Sequence, residues 1–107
     1  ATRRMVASAR ALEEAGAFAV LMEMVPSEVA AAVDAALTVP TVGIGAGAET
    51  TGQVLVWQDM LGMRTGGMPR FVRQYADLHG TITDAVAQYR RDVLSGQFPA
   101  PEHGFEA

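Results

Sequence analysis

Apolar residues recur along this chain at two spacings. From Thr2 to Ala15 the residues Met5, Ala9 and Leu12 fall on one helical face, and Gly16 stands where a helix C-terminus takes a glycine. Ala17 to Glu23 (AFAVLME) is apolar without alternation, which predicts a short parallel strand buried on both faces. Pro26 suits the first turn of a second helix, with Glu28 near its positive end and Val29, Val33 and Leu37 repeating every four residues. After Pro40, Thr41 to Ile44 predicts a second buried strand. Helix, strand, helix, strand in this order points to right-handed α/β crossovers.

The second half is more broken. A glycine-rich stretch, GAGAETTG, leads to Gln53–Trp57 (QVLVW), read as a third strand with a helix as the alternative. Gln58 to Met68 carries Gly62, Gly66 and Gly67 and reads as irregular. Pro69 is expected to open a helix with Phe71, Val72, Tyr75 and Leu78 on one side and Gly80 after it. A last helix is predicted from Ile82 to Leu94, with Ile82, Val86, Tyr89 and Val93 as its stripe, Thr81 as its cap with Asp84 three residues on, and Gly96 at its end. The tail QFPAPEHGFEA reads as an extended arm.

Composition narrows the classes. The chain has 107 residues, enough for one domain, and half of them are hydrophobic, which excludes a disordered chain. Only 7% are aromatic, so Ala, Val, Leu and Met must build the core. The net charge is −4 and argues against a nucleic-acid binder. All 8 basic residues are arginine, so no lysine Schiff base or lysine-assisted phosphate loop can come from this chain. With 0 cysteines, thiol catalysis, disulfides and zinc–thiolate sites are absent from it. The longest apolar run, Ala15 to Met22, is too short to cross a membrane. The absence of an initial Met suggests that something precedes Ala1.

Glu23 is the leading candidate for chemistry. It is a lone carboxylate at the end of an apolar strand, and the C-terminal ends of strands form the active face of parallel α/β folds. Burial there would make it a stronger base; the structural alternative is a carboxylate that accepts backbone hydrogen bonds from the next helix. The loop Gly43-Ile44-Gly45-Ala46-Gly47-Ala48 formally matches a dinucleotide fingerprint. Its glycines begin inside the strand and no acid follows at the required distance, so close backbone approach is the preferred reading. Asp59 and Glu49 flank the third strand and could reach the same mouth as Glu23, the usual reading of each being a solvated loop acid. His79 suits a helix C-terminal turn, and His103 lies in the tail motif EHGF. Ser8, Ser27 and Ser95 lack the pattern of a hydrolase triad. Arg64, Arg70, Arg73, Arg90 and Arg91 form a modest basic cluster that reads as a solvated face, although Arg70 and Arg73 share one side of the expected helix and could contact an anion.

Three strands with intervening helices fit either the last part of an eight-stranded barrel, which takes about 250 residues, or a small three-strand α/β domain. The pattern leaves both open, and the strings AFAVLMEMVPSEVA, PTVGIGAG, TGQVLVWQDMLGM, PRFVRQYADL and SGQFPAPEHGF, in this order, carry a resemblance that separates them. From about Ala11 to Phe105 they resemble the C-terminal part of the ketopantoate hydroxymethyltransferase family. The resemblance implies that residues 1–107 are one segment: the C-terminal part of a TIM (β/α)8 barrel, with parallel strands, flanking helices and a C-terminal helical region. It implies transfer of a one-carbon unit from 5,10-methylenetetrahydrofolate to 3-methyl-2-oxobutanoate, giving 2-dehydropantoate, in pantothenate biosynthesis. In the family a Mg²⁺ ion polarises the keto acid, and the glutamate of its M-E-x-V-P motif, here Glu23, removes the proton beside the carbonyl. The Mg²⁺ ligands are expected upstream of these residues, so no residue here inherits a metal role.

The resemblance further implies a cytoplasmic homo-oligomer acting on a small keto acid and folate, without nucleic acid or membrane. Gly104 stands where the family more often has serine in its E-H-S-F tail, and Arg64–Met68 is atypical. Alone, such a segment is expected to be inactive, and soluble only as an oligomer or with its missing half. The rivals are a non-catalytic α/β binding or assembly module, and a phosphate-binding fragment that uses the GIGAG loop.

Overall fold

The computed structural model describes all 107 residues, Ala1–Ala107. They form two compact units. The first comprises residues 1–56 and 68–73, and the second residues 57–67 and 74–107.

The first unit holds α1 (Thr2–Glu14), β1 (Val20–Glu23), α2 (Ser27–Ala36), β2 (Thr41–Ile44) and β3 (Gly52–Gln53). The strands form one parallel sheet in the order β1-β2-β3. Val20 pairs with Thr41 and Glu23 with Ile44, so both strands reach the same end together. Side chains alternate between the two faces of a strand. Val20 and Met22 therefore point to one face, where they join Ala9 of α1, Val29, Ala30 and Val33 of α2, and Ala46 in the core. Val33 is fully buried. Burying a side chain of this size contributes roughly 1.5–3 kcal/mol.

The other face is bare. Leu21 is 63% and Val54 43% exposed, and Glu23 lies in the same row. The expectation of a strand buried on both faces is thus corrected. β1 is confined to Val20–Glu23, and its burial alternates because both helices of this unit cover one side only. The second strand is as expected. The third is shorter and earlier than Gln53–Trp57, and Trp57–Met60 is a short helix, α3.

In the second unit α4 spans Leu78–Ser95. It starts before the expected Ile82 because Asp77, not Thr81, caps it: the Asp77 carboxylate accepts the Gly80 N–H at 3.1 Å. Gly80 therefore lies inside the first turn and does not follow a helix. Gly96 ends α4 in the left-handed conformation, as expected. No helix opens at Pro69. The Tyr75 and Leu78 N–H groups donate to the carbonyls of Met60 and Leu61, at 2.7 and 3.0 Å, and these bonds replace a helical ladder. The tail is not an extended arm either. Phe98 packs on Tyr89 with ring centroids 5.6 Å apart and on His103 at 5.0 Å, and Pro101–His103 forms a single 3₁₀ turn. No helix is long and apolar enough to cross a membrane.

Candidate active site

The carboxyl ends of β1 and β2 carry the features expected of a site. Glu23 closes β1 on the bare face, next to Ile44 of β2. It is exposed, so the expected burial is not provided by these residues. It accepts no hydrogen bond from α2 and forms no ion pair. The structural alternative, a carboxylate occupied at the next helix N-terminus, is therefore not realised. The first turn of α2 is instead organised by Pro26, whose carbonyl accepts the N–H groups of Val29 and Ala30 at 2.9 Å.

Directly after Glu23 the chain takes an uncommon turn. Met24 has φ +54°, a conformation that side-chain-bearing residues seldom adopt and that costs about 1–2 kcal/mol. It is held there by its own N–H, which donates to the Ile44 carbonyl at 2.9 Å. The turn leaves the Met24 side chain 71% exposed at the strand end.

The glycine-rich loop after β2 closes against this turn. Gly45 and Gly47 have φ of +65° and +82°. A Cβ on Gly47 would stand 2.6 Å from Ser27 Oγ, and one on Gly45 2.8 Å from the Phe71 ring. The loop thus needs glycine twice over, for backbone conformation and for contact with α2 and Phe71. Gln53 braces it by donating from Nε2 to the Gly47 carbonyl at 2.7 Å and to Thr50 Oγ1 at 3.0 Å. Between the loop and the Met24 turn lies a groove of about 500 Å³, lined by Met24, Val25, Ser27, Gly47, Arg70 and Phe71 among others. An adjoining hollow of about 400 Å³ shares Gly45, Gly47 and Phe71.

The amino end of the sheet is differently made. Asp34 Oδ1 accepts from Thr41 Oγ1 at 2.6 Å and from Thr51 Oγ1 at 3.1 Å. Thr41 and Thr51 also exchange two backbone-to-hydroxyl bonds at 3.1 Å. Glu13 at the end of α1 accepts the Thr38 N–H at 2.6 Å, the Thr38 hydroxyl at 2.8 Å and the Val39 N–H at 2.9 Å. The Thr38 hydroxyl first, then the two backbone N–H groups, hold its carboxyl below the usual glutamate range, with help from Arg10.

The other candidates separate. Glu49 is exposed in the loop between Gly47 and β3. Asp59 belongs to the second unit, where it is 7% exposed and faces Arg64 at 3.5 Å. His79 sits in the first turn of α4, not in a C-terminal turn, and His103 Nδ1 accepts the Ala100 N–H at 3.0 Å. Arg70 lines the groove without a helix to carry it. No three His, Cys, Asp or Glu residues stand together, so the residues present do not by themselves suit a Mg²⁺ ion. The sequence had not marked Met24 or Phe71 as site residues. The readable signals were the position of Met24 after the candidate carboxylate and a glycine loop in need of a packing partner.

A family model described as ketopantoate hydroxymethyltransferase matches residues 1–101. A 3-methyl-2-oxobutanoate hydroxymethyltransferase of Paenarthrobacter aurescens is 70% identical over 103 residues, 96% of this chain and 34% of that protein. Its counterparts from an Arthrobacter species and a Nocardioides species are 64% and 61% identical, over 96% and 98% of this chain and 34% and 36% of their own lengths. The chain spans about a third of the length of the curated relatives it matches.

Proposed function

Since the chain belongs to the ketopantoate hydroxymethyltransferase family, we propose that it is the part of the complete enzyme that supplies the general base, Glu23. The reaction is transfer of a one-carbon unit from 5,10-methylenetetrahydrofolate to 3-methyl-2-oxobutanoate, giving 2-dehydropantoate. The observation that carries this reading is a carboxylate with no structural partner, at the C-terminal end of a parallel strand and on a face that no helix covers. The Glu23 carboxylate takes the single hydrogen on the carbon beside the keto group. The resulting enolate carbon bonds to the methylene carbon as one of its C–N bonds to folate breaks, and water replaces the remaining nitrogen, leaving the hydroxymethyl group on the product and releasing tetrahydrofolate. In the whole protein the bare face, with Leu21, Val54 and Glu23 in it, is read as lining the inside of a (β/α)8 barrel. The remaining strands, and the ligands of the Mg²⁺ ion that would stabilise the enolate, come from the rest of that protein.

The test is hydrogen exchange at the 3-position of 3-methyl-2-oxobutanoate in D₂O, followed by NMR without folate, on the complete enzyme. This isolates proton removal from carbon–carbon bond formation. Glu23→Gln keeps the shape but cannot take the proton, and exchange is expected to fall about 10²–10⁴-fold. Exchange at the parent rate would show that the base lies elsewhere.

A further inference from the structure

The in-and-out order of β1 breaks at one residue. Val20 and Met22 are buried while Leu21 and Glu23 are exposed, as alternation along a strand requires. An extended continuation would bury Met24 and set Val25 on the bare face, in the row of Leu21 and Glu23. The reverse is found: Met24 is exposed and Val25 joins the core. The switch falls on the left-handed backbone of Met24, φ +54°. Glycine and asparagine visit that region far more readily than methionine does, so the turn is imposed by its surroundings and not by its own residue type. On one side the Met24 N–H is tied to the Ile44 carbonyl at 2.9 Å. On the other, Val25 is held in the core and the Pro26 carbonyl starts α2. A residue kept in a sparsely populated conformation in this way, next to a reacting group, is a recognised form of pre-organisation.

Resting on the reading of Glu23 as the base, we propose that Met24 is a positioning residue for it and acts through its backbone conformation, not through its side chain. The left-handed turn withdraws Val25 from the row in which Glu23 stands, so Glu23 is the last residue of β1 on the bare face. The same turn directs the Met24 N–H to β2, which fixes the peptide that follows Glu23 while Glu23 itself lies in register with Ile44. The base is therefore carried on backbone pinned from both sides, and only its own side-chain torsions remain to be set. Displacing a reacting group by about 1 Å is enough to cost about 10² in rate.

The experiment is folate-free hydrogen exchange of 3-methyl-2-oxobutanoate on the complete enzyme, with maximal rate per folded molecule and KM taken separately. Met24→Ile keeps an apolar side chain, but its branched Cβ disfavours a positive φ. Its maximal rate is expected to fall about 10–100-fold with KM within about twofold of the parent, the pattern of a misplaced base and not of a lost binding contact. Met24→Asn discards the thioether and the apolar character but tolerates the left-handed region, and should recover most of that loss. Equal loss in the two variants, or a slower Asn variant, assigns the effect to the side chain and overturns the proposal. So does an Ile variant that loses stability but exchanges at the parent rate per folded molecule. Where Met24→Ile does not fold, Met24→Asn decides alone: a loss beyond about tenfold overturns the proposal and a smaller one supports it. Failure of the base reading is seen separately, as exchange that survives Glu23→Gln.

Discussion

Asp34 and Glu23 are carboxylates at opposite ends of the same three-stranded sheet, and their surroundings differ in every respect. Asp34 is bonded to two threonine hydroxyls, one of them fully buried, and so ties the end of α2 to the starts of β2 and β3. Glu13 does similar work between α1 and the residues before β2. At the other end Glu23 is bonded to nothing, and the nearby fixed geometry is all backbone: the left-handed Met24 and the two glycines pressed on Ser27 and Phe71. One end spends its polar side chains on holding the fold. The other leaves its carboxylate free and uses backbone constraint to aim it. Acid content alone therefore says little about function; what separates these two carboxylates is their end of the sheet together with their partners.

The sharpest way to break this contrast is to exchange the effects. Glu23→Gln should cost the complete enzyme about 10²–10⁴ in the exchange rate while leaving its denaturant midpoint unmoved. A shift in that midpoint would make Glu23 structural after all. Asp34→Ala should do the reverse. It leaves the buried Thr41 hydroxyl without its acceptor, at a cost of about 2 kcal/mol in urea unfolding, with the exchange rate per folded molecule unchanged. Gly47→Ala examines the backbone side of the contrast. A methyl group at φ +82°, against Ser27, should destabilise by about 1–2 kcal/mol, and adding Ser27→Gly should return part of it. The smallest effect belongs to Glu13. Its folded-state carboxyl is lowered, so its contribution is fully present above the unfolded value of about 4.3 and is lost as pH falls through the lowered folded value. Melting temperatures taken on the way down to pH 3 should therefore fall less steeply in Glu13→Gln than in the parent.

Much of the first unit was legible in the sequence. The helix before Gly16, the strand ending at Glu23 and the strand after Pro40 all follow from apolar spacing and from breakers that act locally. What was misread depends on partners distant in sequence. An unalternating run of apolar residues suggests two buried faces, yet only one face of β1 is covered by these residues. The helix expected from Pro69 has the right periodicity. It is displaced because Tyr75 and Leu78 bond to carbonyls at 60 and 61, a choice no local pattern encodes. At the site, Glu23 was readable from its isolation among apolar residues. The groove was not, since its walls come from residues 24–27, 45–47 and 70–71, which only the fold brings together.

Within residues 1–107 the order β1-β2-β3 leaves the outer edges of β1 and β3 without a partner strand. An unpaired strand edge is a template for adding another chain, and natural proteins commonly guard it with charge. Between Glu14 and Glu28 the only charged residue is Glu23. The carboxylate proposed as base is therefore also the one charge in AFAVLME that would oppose stacking of this segment with its own copies wherever the edge is unpaired. Glu23→Gln removes both at once. Material lost to aggregates during synthesis of that variant would report on the guarded edge, and the soluble fraction on the chemistry.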